Sequence, residues 1–141
     1  MSHNTSIVLI GDLKYVFSRM LQLKNVHHIA IICSDYNRSR QFYTEVLGLK
    51  VLAEHYREQR RSYKLDLGIG DEYIVELFSF PDPPRRVSRP EAAGLRHLAF
   101  AVENIDEAVA HLRMHGVEPE PIRTDEHTGK RFTFFADRRL Q

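Results

Sequence analysis

Residues 26–33 read Val26-His27-His28-Ile29-Ala30-Ile31-Ile32-Cys33, and residues 95–102 read Leu95-Arg96-His97-Leu98-Ala99-Phe100-Ala101-Val102. Each is an apolar run of strand length, and each leads into a helix cap, Ser34-Asp35 after the first and Asn104 after the second. Sliding the chain by 69 residues places His28 on His97, Ile29 on Leu98, Ala30 on Ala99, Ile31 on Phe100, Cys33 on Val102 and Asp35 on Asn104. One residue of slack then brings Gly48 onto Gly116. Pattern, cap and stop agree, so the chain reads as a duplicated unit.

Outward from the first run, Tyr36 to Val46 carries apolar residues mostly three and four apart and ends before Gly48, which predicts a helix. Three extended segments follow, Leu49 to Tyr56, Ser62 to Leu67 and Glu72 to Phe80, separated by the charged turn 57–61 and by Gly68-Ile69-Gly70-Asp71. The result is a βαβββ unit spanning residues 21–80. Residues 81–94 form a linker whose four prolines exclude helix interior and central strand. The second unit, residues 95–141, repeats the start: a strand at Leu95 to Val102, a helix at Ile105 to Met114 stopped by Gly116, then strands near Val117 to Thr124 and Arg131 to Ala136. Residues 1–20 are an N-terminal extension in which Ile7-Val8-Leu9-Ile10 reads as a single strand or a frayed tail. The fold class is α+β.

Composition narrows the function. Twenty Lys and Arg against nineteen Asp and Glu leave a net charge of +1, too little for binding nucleic acid by bulk electrostatics. The chain holds no apolar run of membrane-spanning length and no basic stretch before Ile7 of the secretory kind, which points away from membranes and toward a cytoplasmic protein. A single cysteine, Cys33, excludes an internal disulfide framework and a multi-cysteine zinc site.

Strand alternation sorts the two repeated runs. Ile29, Ile31 and Cys33 share one face, and His28, Ala30 and Ile32 share the other; in the second run Leu98, Phe100 and Val102 oppose His97, Ala99 and Ala101. The large apolar faces are expected against the helices, which leaves each histidine on the opposite face beside an alanine. In the third extended segment Glu76 falls with Ile74, Phe78 and Phe80, a costly setting for a carboxylate unless it is paired, protonated or bound to a metal. Two imidazoles and a carboxylate on neighbouring strands are a competent donor set for one divalent ion such as Zn, Ni, Fe or Mn. The competing reading keeps the histidines as hydrogen-bonded core residues and pairs Glu76 with an arginine.

Four segments taken in order, His28-Ile29-Ala30-Ile31, Gln41-Phe42-Tyr43-Thr44-Glu45-Val46-Leu47-Gly48-Leu49, Ile74-Val75-Glu76-Leu77-Phe78 and Gly94-Leu95-Arg96-His97-Leu98-Ala99-Phe100, resemble the vicinal oxygen chelate superfamily. That group includes glyoxalase I, the bleomycin- and fosfomycin-resistance proteins and the extradiol dioxygenases. The similarity is strongest to small glyoxalase-I-like proteins and runs from about Leu21 to Asp137. It implies paired βαβββ modules in a curved, barrel-like mixed sheet around a metal, usually in a homodimer, with His28, Glu76 and His97 as ligands.

The family pattern adds a Glu on the last strand of the second module. Glu76 plus 69 is position 145, whereas the sequence ends at Gln141, so that strand reads as missing or replaced. Three outcomes follow: a metal with three protein ligands, a group lent by a partner chain, or a metal-free site. The strand at Ile7 to Ile10 is expected to fill the vacated sheet edge. Arg57, Arg61 and Arg89, with their neighbours Arg60, Arg85 and Arg86, are candidates for an anionic substrate, solvated loop charge being the alternative. His27 is expected to face away from the site, and His111 and His115 to be surface or packing residues.

Functionally, the resemblance implies a metal-dependent lyase of the glyoxalase I type acting on a small oxygenated or glutathione-linked substrate, with Glu76 as the only inward carboxylate left to act as base. The alternatives are a small-molecule-sequestering protein of the antibiotic-resistance type and a metal-dependent dioxygenase.

Overall fold

In a computed structural model of the chain, residues 10, 21, 23–87 and 89–137 are described. Of the expected strand at 7–10 only Ile10 is among the described residues, and the rest of the extension 1–20 lies outside them. The first unit forms as β1 (Ile29–Cys33), α1 (Tyr36–Gln41), β2 (Lys50–Arg57), β3 (Ser62–Ile69) and β4 (Glu72–Ser79). The Asp35 side chain caps α1 by accepting from the Arg38 amide at 3.1 Å. Residues 42–46 continue α1 as a wider turn in which the Leu47 amide donates to the Phe42 carbonyl at 2.9 Å, and Gly48 ends it at φ 72°.

The four strands form one mixed sheet in the order β1-β4-β3-β2, with β1 parallel to β4 and the other pairs antiparallel. One face carries Cys33, Leu65, Leu67, Val75 and Leu77 and packs with Phe42, Tyr43 and Leu49 into the core. Cys33 is buried, its thiol donates to the Phe78 carbonyl at 3.2 Å, and burial pushes its pKa above the ordinary value. The sheet is curved and not closed, and its other face is open: Ala30 and Ile32 are exposed along the edge strand β1.

Among the described residues the second unit keeps its helix and forms only short strands. Helix α2 (Ile105–Met114) starts at Asn104, whose side chain accepts from the Asp106 and Glu107 amides at 3.0 and 3.2 Å, and stops before Gly116 at φ 72°. The expected strands near 117–124 and 131–136 shorten to β5 (Arg123–Thr124) and β6 (Arg131–Phe132). The expected strand at Leu95 to Val102 makes no ladder among the described residues. In the first unit the matching strand β1 is held by its parallel pairing with β4, and residues 95–102 have no such partner among the described residues. The alternation nonetheless holds from 97 to 101, where Leu98 and Phe100 pack against the first unit's core while His97, Ala99 and Ala101 are exposed. Val117 and Phe135 join the same core, and the Tyr43 hydroxyl meets Asp137 at 3.0 Å. No helix among the described residues is long and apolar enough to cross a membrane.

Candidate functional site

The open face of the β1-β4-β3 sheet gathers the polar side chains. Strand pairing sets Glu76 directly between Ala30 on β1 and Asp66 on β3. His28, just before β1, brings its Nε2 to 3.3 Å from Glu76 Oε2. From the other side the Lys64 ammonium lies 2.9 Å from Glu76 Oε1 and 2.5 Å from Asp66 Oδ1. The Tyr73 hydroxyl donates to Asp66 Oδ1 at 2.9 Å, and its ring stacks on His28 with centroids 4.8 Å apart and planes 19° from parallel. His27 is hydrogen-bonded to His28, Nδ1 to Nδ1, at 2.8 Å, so it orients that ring instead of facing away.

The charges are balanced within the cluster. Burial acts to lower the Lys64 pKa, but the hydrogen bonds and charges of Asp66 and Glu76 outweigh it, and the ammonium is held above its ordinary value. Burial first, and then the Asp66 carboxylate, push the Tyr73 phenol well above its ordinary value, so it stays a donor. Asp66 and Glu76 are 18% and 14% exposed at their side chains, and one cation serves both.

Glu76 is therefore not surrounded by apolar side chains alone, nor is it the only carboxylate on its face, two corrections to the sequence reading. Lys64 and Asp66 were within reach of that reading, since Lys64-Leu65-Asp66-Leu67 alternates polar with core residues. Tyr73 was not, because it stands an odd three positions before Glu76, which regular alternation puts on the opposite face. A β-bulge resolves the mismatch: Gly68 pairs with Tyr73 and Leu67 with Val75, leaving Ile74 unpaired. The extra residue sends Ile74 to the core side, against the expectation that placed it with Glu76, and puts Tyr73 on the face of the acids.

The remaining sequence candidates are dispersed. His97 is exposed, and its ring meets Phe134 edge-on at 5.5 Å. Among the described residues no three His, Cys, Asp or Glu side chains converge in a way that could hold a metal. Arg57 lies over the Phe78 and Phe80 rings at 4.7 and 5.6 Å and donates to Ser62 Oγ at 2.7 Å. Arg61 sits at the β2–β3 hairpin with φ 47°, and Arg89 is exposed in the linker; among the described residues no hydrogen bond joins the three arginines. His111 and His115 bond to the backbone carbonyls of Val46 and His111, both at 2.8 Å, as packing residues do.

A divalent metal suits part of this arrangement. An imidazole nitrogen and a carboxylate oxygen stand side by side, the other nitrogen of His28 is taken by an orienting partner, and the carboxylate already carries a cation in the form of the Lys64 ammonium. Two of the three donors expected from sequence are thus together, and His97 stands apart.

Comparison with known proteins gives a consistent assignment. A model of the Glyoxalase/Bleomycin resistance protein/Dioxygenase superfamily matches residues 25–139. The chain is 64% identical over 115 residues to the uncharacterized protein YwkD of Bacillus subtilis, covering 82% of this chain and 90% of that one. It is 31% identical over 132 residues to a 2-epi-5-epi-valiolone epimerase of an Actinomyces species, covering 79% of this chain and 72% of the epimerase. Among solved structures it resembles the trypanothione-dependent glyoxalase I of Leishmania major at 30% identity and a TM-score of 0.61, covering 83% of this chain and 81% of that one.

Proposed function

Because this chain belongs to the glyoxalase/bleomycin resistance protein/dioxygenase superfamily, we propose that it is a divalent-metal protein of the glyoxalase I kind that moves a proton on a small oxygenated substrate. Members of the superfamily bind small molecules, commonly form dimers and typically carry a divalent metal. The observation that carries the proposal is the 3.3 Å pairing of His28 Nε2 with Glu76 Oε2 on the open face of the sheet. His97 is the third donor in this reading. Residues 21–80 and 95–141 act as two half-sites, with His97 delivered by a second copy to the half-site of the first.

An ion held there supplies Lewis acidity, which eases removal of a proton from carbon beside the oxygen it polarises. His28 holds its place through His27 and Tyr73. Glu76 accepts the proton at a carboxylate oxygen and returns it to the neighbouring carbon; removal of a proton from carbon beside a polarised oxygen is the step that a lyase of the glyoxalase I type shares with an epimerase, which returns the proton to the same carbon. Asp66 fixes Lys64 and Tyr73 around that carboxylate. Arg57, on the aromatic pair Phe78 and Phe80, suits an anionic substrate end.

The test is solvent-proton exchange. With the hemithioacetal of methylglyoxal and glutathione in deuterated buffer, the metal-loaded protein is expected to wash deuterium into the product carbon, and Glu76→Gln to abolish it. Unchanged exchange in Glu76→Gln removes Glu76 as the base. A second reading, a sequestering protein without chemistry, draws on the full engagement of Glu76 by Lys64 and His28. Ligand binding that survives chelator dialysis, together with no exchange at all, favours it.

A further inference from the structure

We propose that Lys64 is the built-in competitor of the metal: its ammonium clamps Asp66 and Glu76 together in the metal-free protein and must leave Glu76 when a divalent ion binds. Lys64 thereby sets how tightly the ion is held. The inference rests on the reading of His28 and Glu76 as metal donors.

Asp66 and Glu76 are direct partners on adjacent antiparallel strands, where like charges oppose pairing. Lys64 lies on the same face of β3 and spans both, at 2.5 Å from Asp66 and 2.9 Å from Glu76. Each oxygen of Glu76 is thus engaged, Oε1 by Lys64 and Oε2 by His28. A dication on Glu76 repels an ammonium on the same carboxylate, and the repulsion is little screened at these exposures. Asp66 supplies the place to which Lys64 withdraws, since the ammonium is already bonded to Asp66 Oδ1 at 2.5 Å. Removing the Lys64 charge frees Glu76 Oε1 for the ion and leaves the repulsion between Glu76 and Asp66 uncompensated in its absence. Removing the Asp66 charge leaves Lys64 to Glu76 alone.

The experiment is zinc titration of the full chain by calorimetry, with thermal melting of the metal-free proteins alongside. Lys64→Met is expected to bind zinc about tenfold tighter or more than wild type. Lys64→Arg is expected to stay close to wild type, Asp66→Asn to bind several-fold more weakly, and Glu76→Gln to lose binding. Metal-free Lys64→Met melts below wild type, and zinc raises its Tm by more. Lys64→Gln carries the same comparison if the methionine variant does not fold. Zinc binding no tighter in Lys64→Met, with binding still lost in Glu76→Gln, overturns the role of Lys64 and leaves the metal reading standing. Absence of zinc uptake by wild type and Lys64→Met alike overturns the metal reading, and the role of Lys64 with it.

Discussion

Gly68→Ala tests the bulge that assembles the open face. A Cβ built on Gly68 comes within 2.6 Å of the Glu72 carbonyl oxygen and 3.0 Å of Leu52 Cδ1. The leucine methyl can turn aside, but the carbonyl belongs to the β3–β4 hairpin and cannot yield without shifting Glu72 and Tyr73, the residues paired with Ile69 and Gly68. A 2.6 Å approach to a backbone oxygen puts the cost of the extra methyl in the upper part of the range for overpacking, about 2–3 kcal/mol. The smaller unfolded-state entropy of alanine returns about 0.5–1 kcal/mol. The net loss is about 1–2 kcal/mol, a fall in Tm of about 3–8 °C for a chain of this size. Urea unfolding followed by circular dichroism reads the free energy, and calorimetry reads the Tm. A variant as stable as wild type, with an unchanged midpoint and slope, refutes the close approach and the bulge argument built on it.

Three further outcomes follow from the packing and the charges. Leu65→Ala, at a position with no exposure in the centre of the sheet core, is expected to cost about 2–5 kcal/mol in urea unfolding, and a loss below 1 kcal/mol contradicts the core assignment. Glu54 is held below its ordinary 4.5 by the hydroxyl of Tyr36 and by Arg40, so its contribution to stability is complete above that value and is lost as the pH falls through the lowered folded value. Stability of Glu54→Gln measured from pH 7 to pH 2 should decline less steeply at the acid end, and an identical acid limb denies the linkage. Cys33 should resist iodoacetamide in the native protein and react fully in denaturant, whereas rapid native alkylation would show that the thiol is accessible.

Local patterning carried the first unit and the helix of the second, because caps and stops act within one turn: Asp35 and Asn104 open the helices, and Gly48 and Gly116 close them. His28 and Glu76 were legible through alternation in their own segments, and the sheet brings them together because β1 pairs with β4. Two things were not legible. Residues 95–102 make no ladder among the described residues, and strand pairing is a non-local condition that no window of sequence contains, so the exposed position of His97 was not legible either. Tyr73 was hidden by a single unpaired residue, Ile74, which inverts the alternation on one side of the bulge. Lys64 and Asp66 belong to a different class: their alternation is regular, and in the sequence alone they resemble solvated charge until Glu76 is set beside them.

The most direct test of the account is to follow the imidazole resonances of the histidines by NMR while one equivalent of zinc is added to the metal-free protein. The account predicts that the His28 Nε2 signal moves first in wild type and stays still in Glu76→Gln, because the two groups share the ion. A His28 signal unmoved by zinc, with the shifts falling instead on the helical pair His111 and His115, would contradict it.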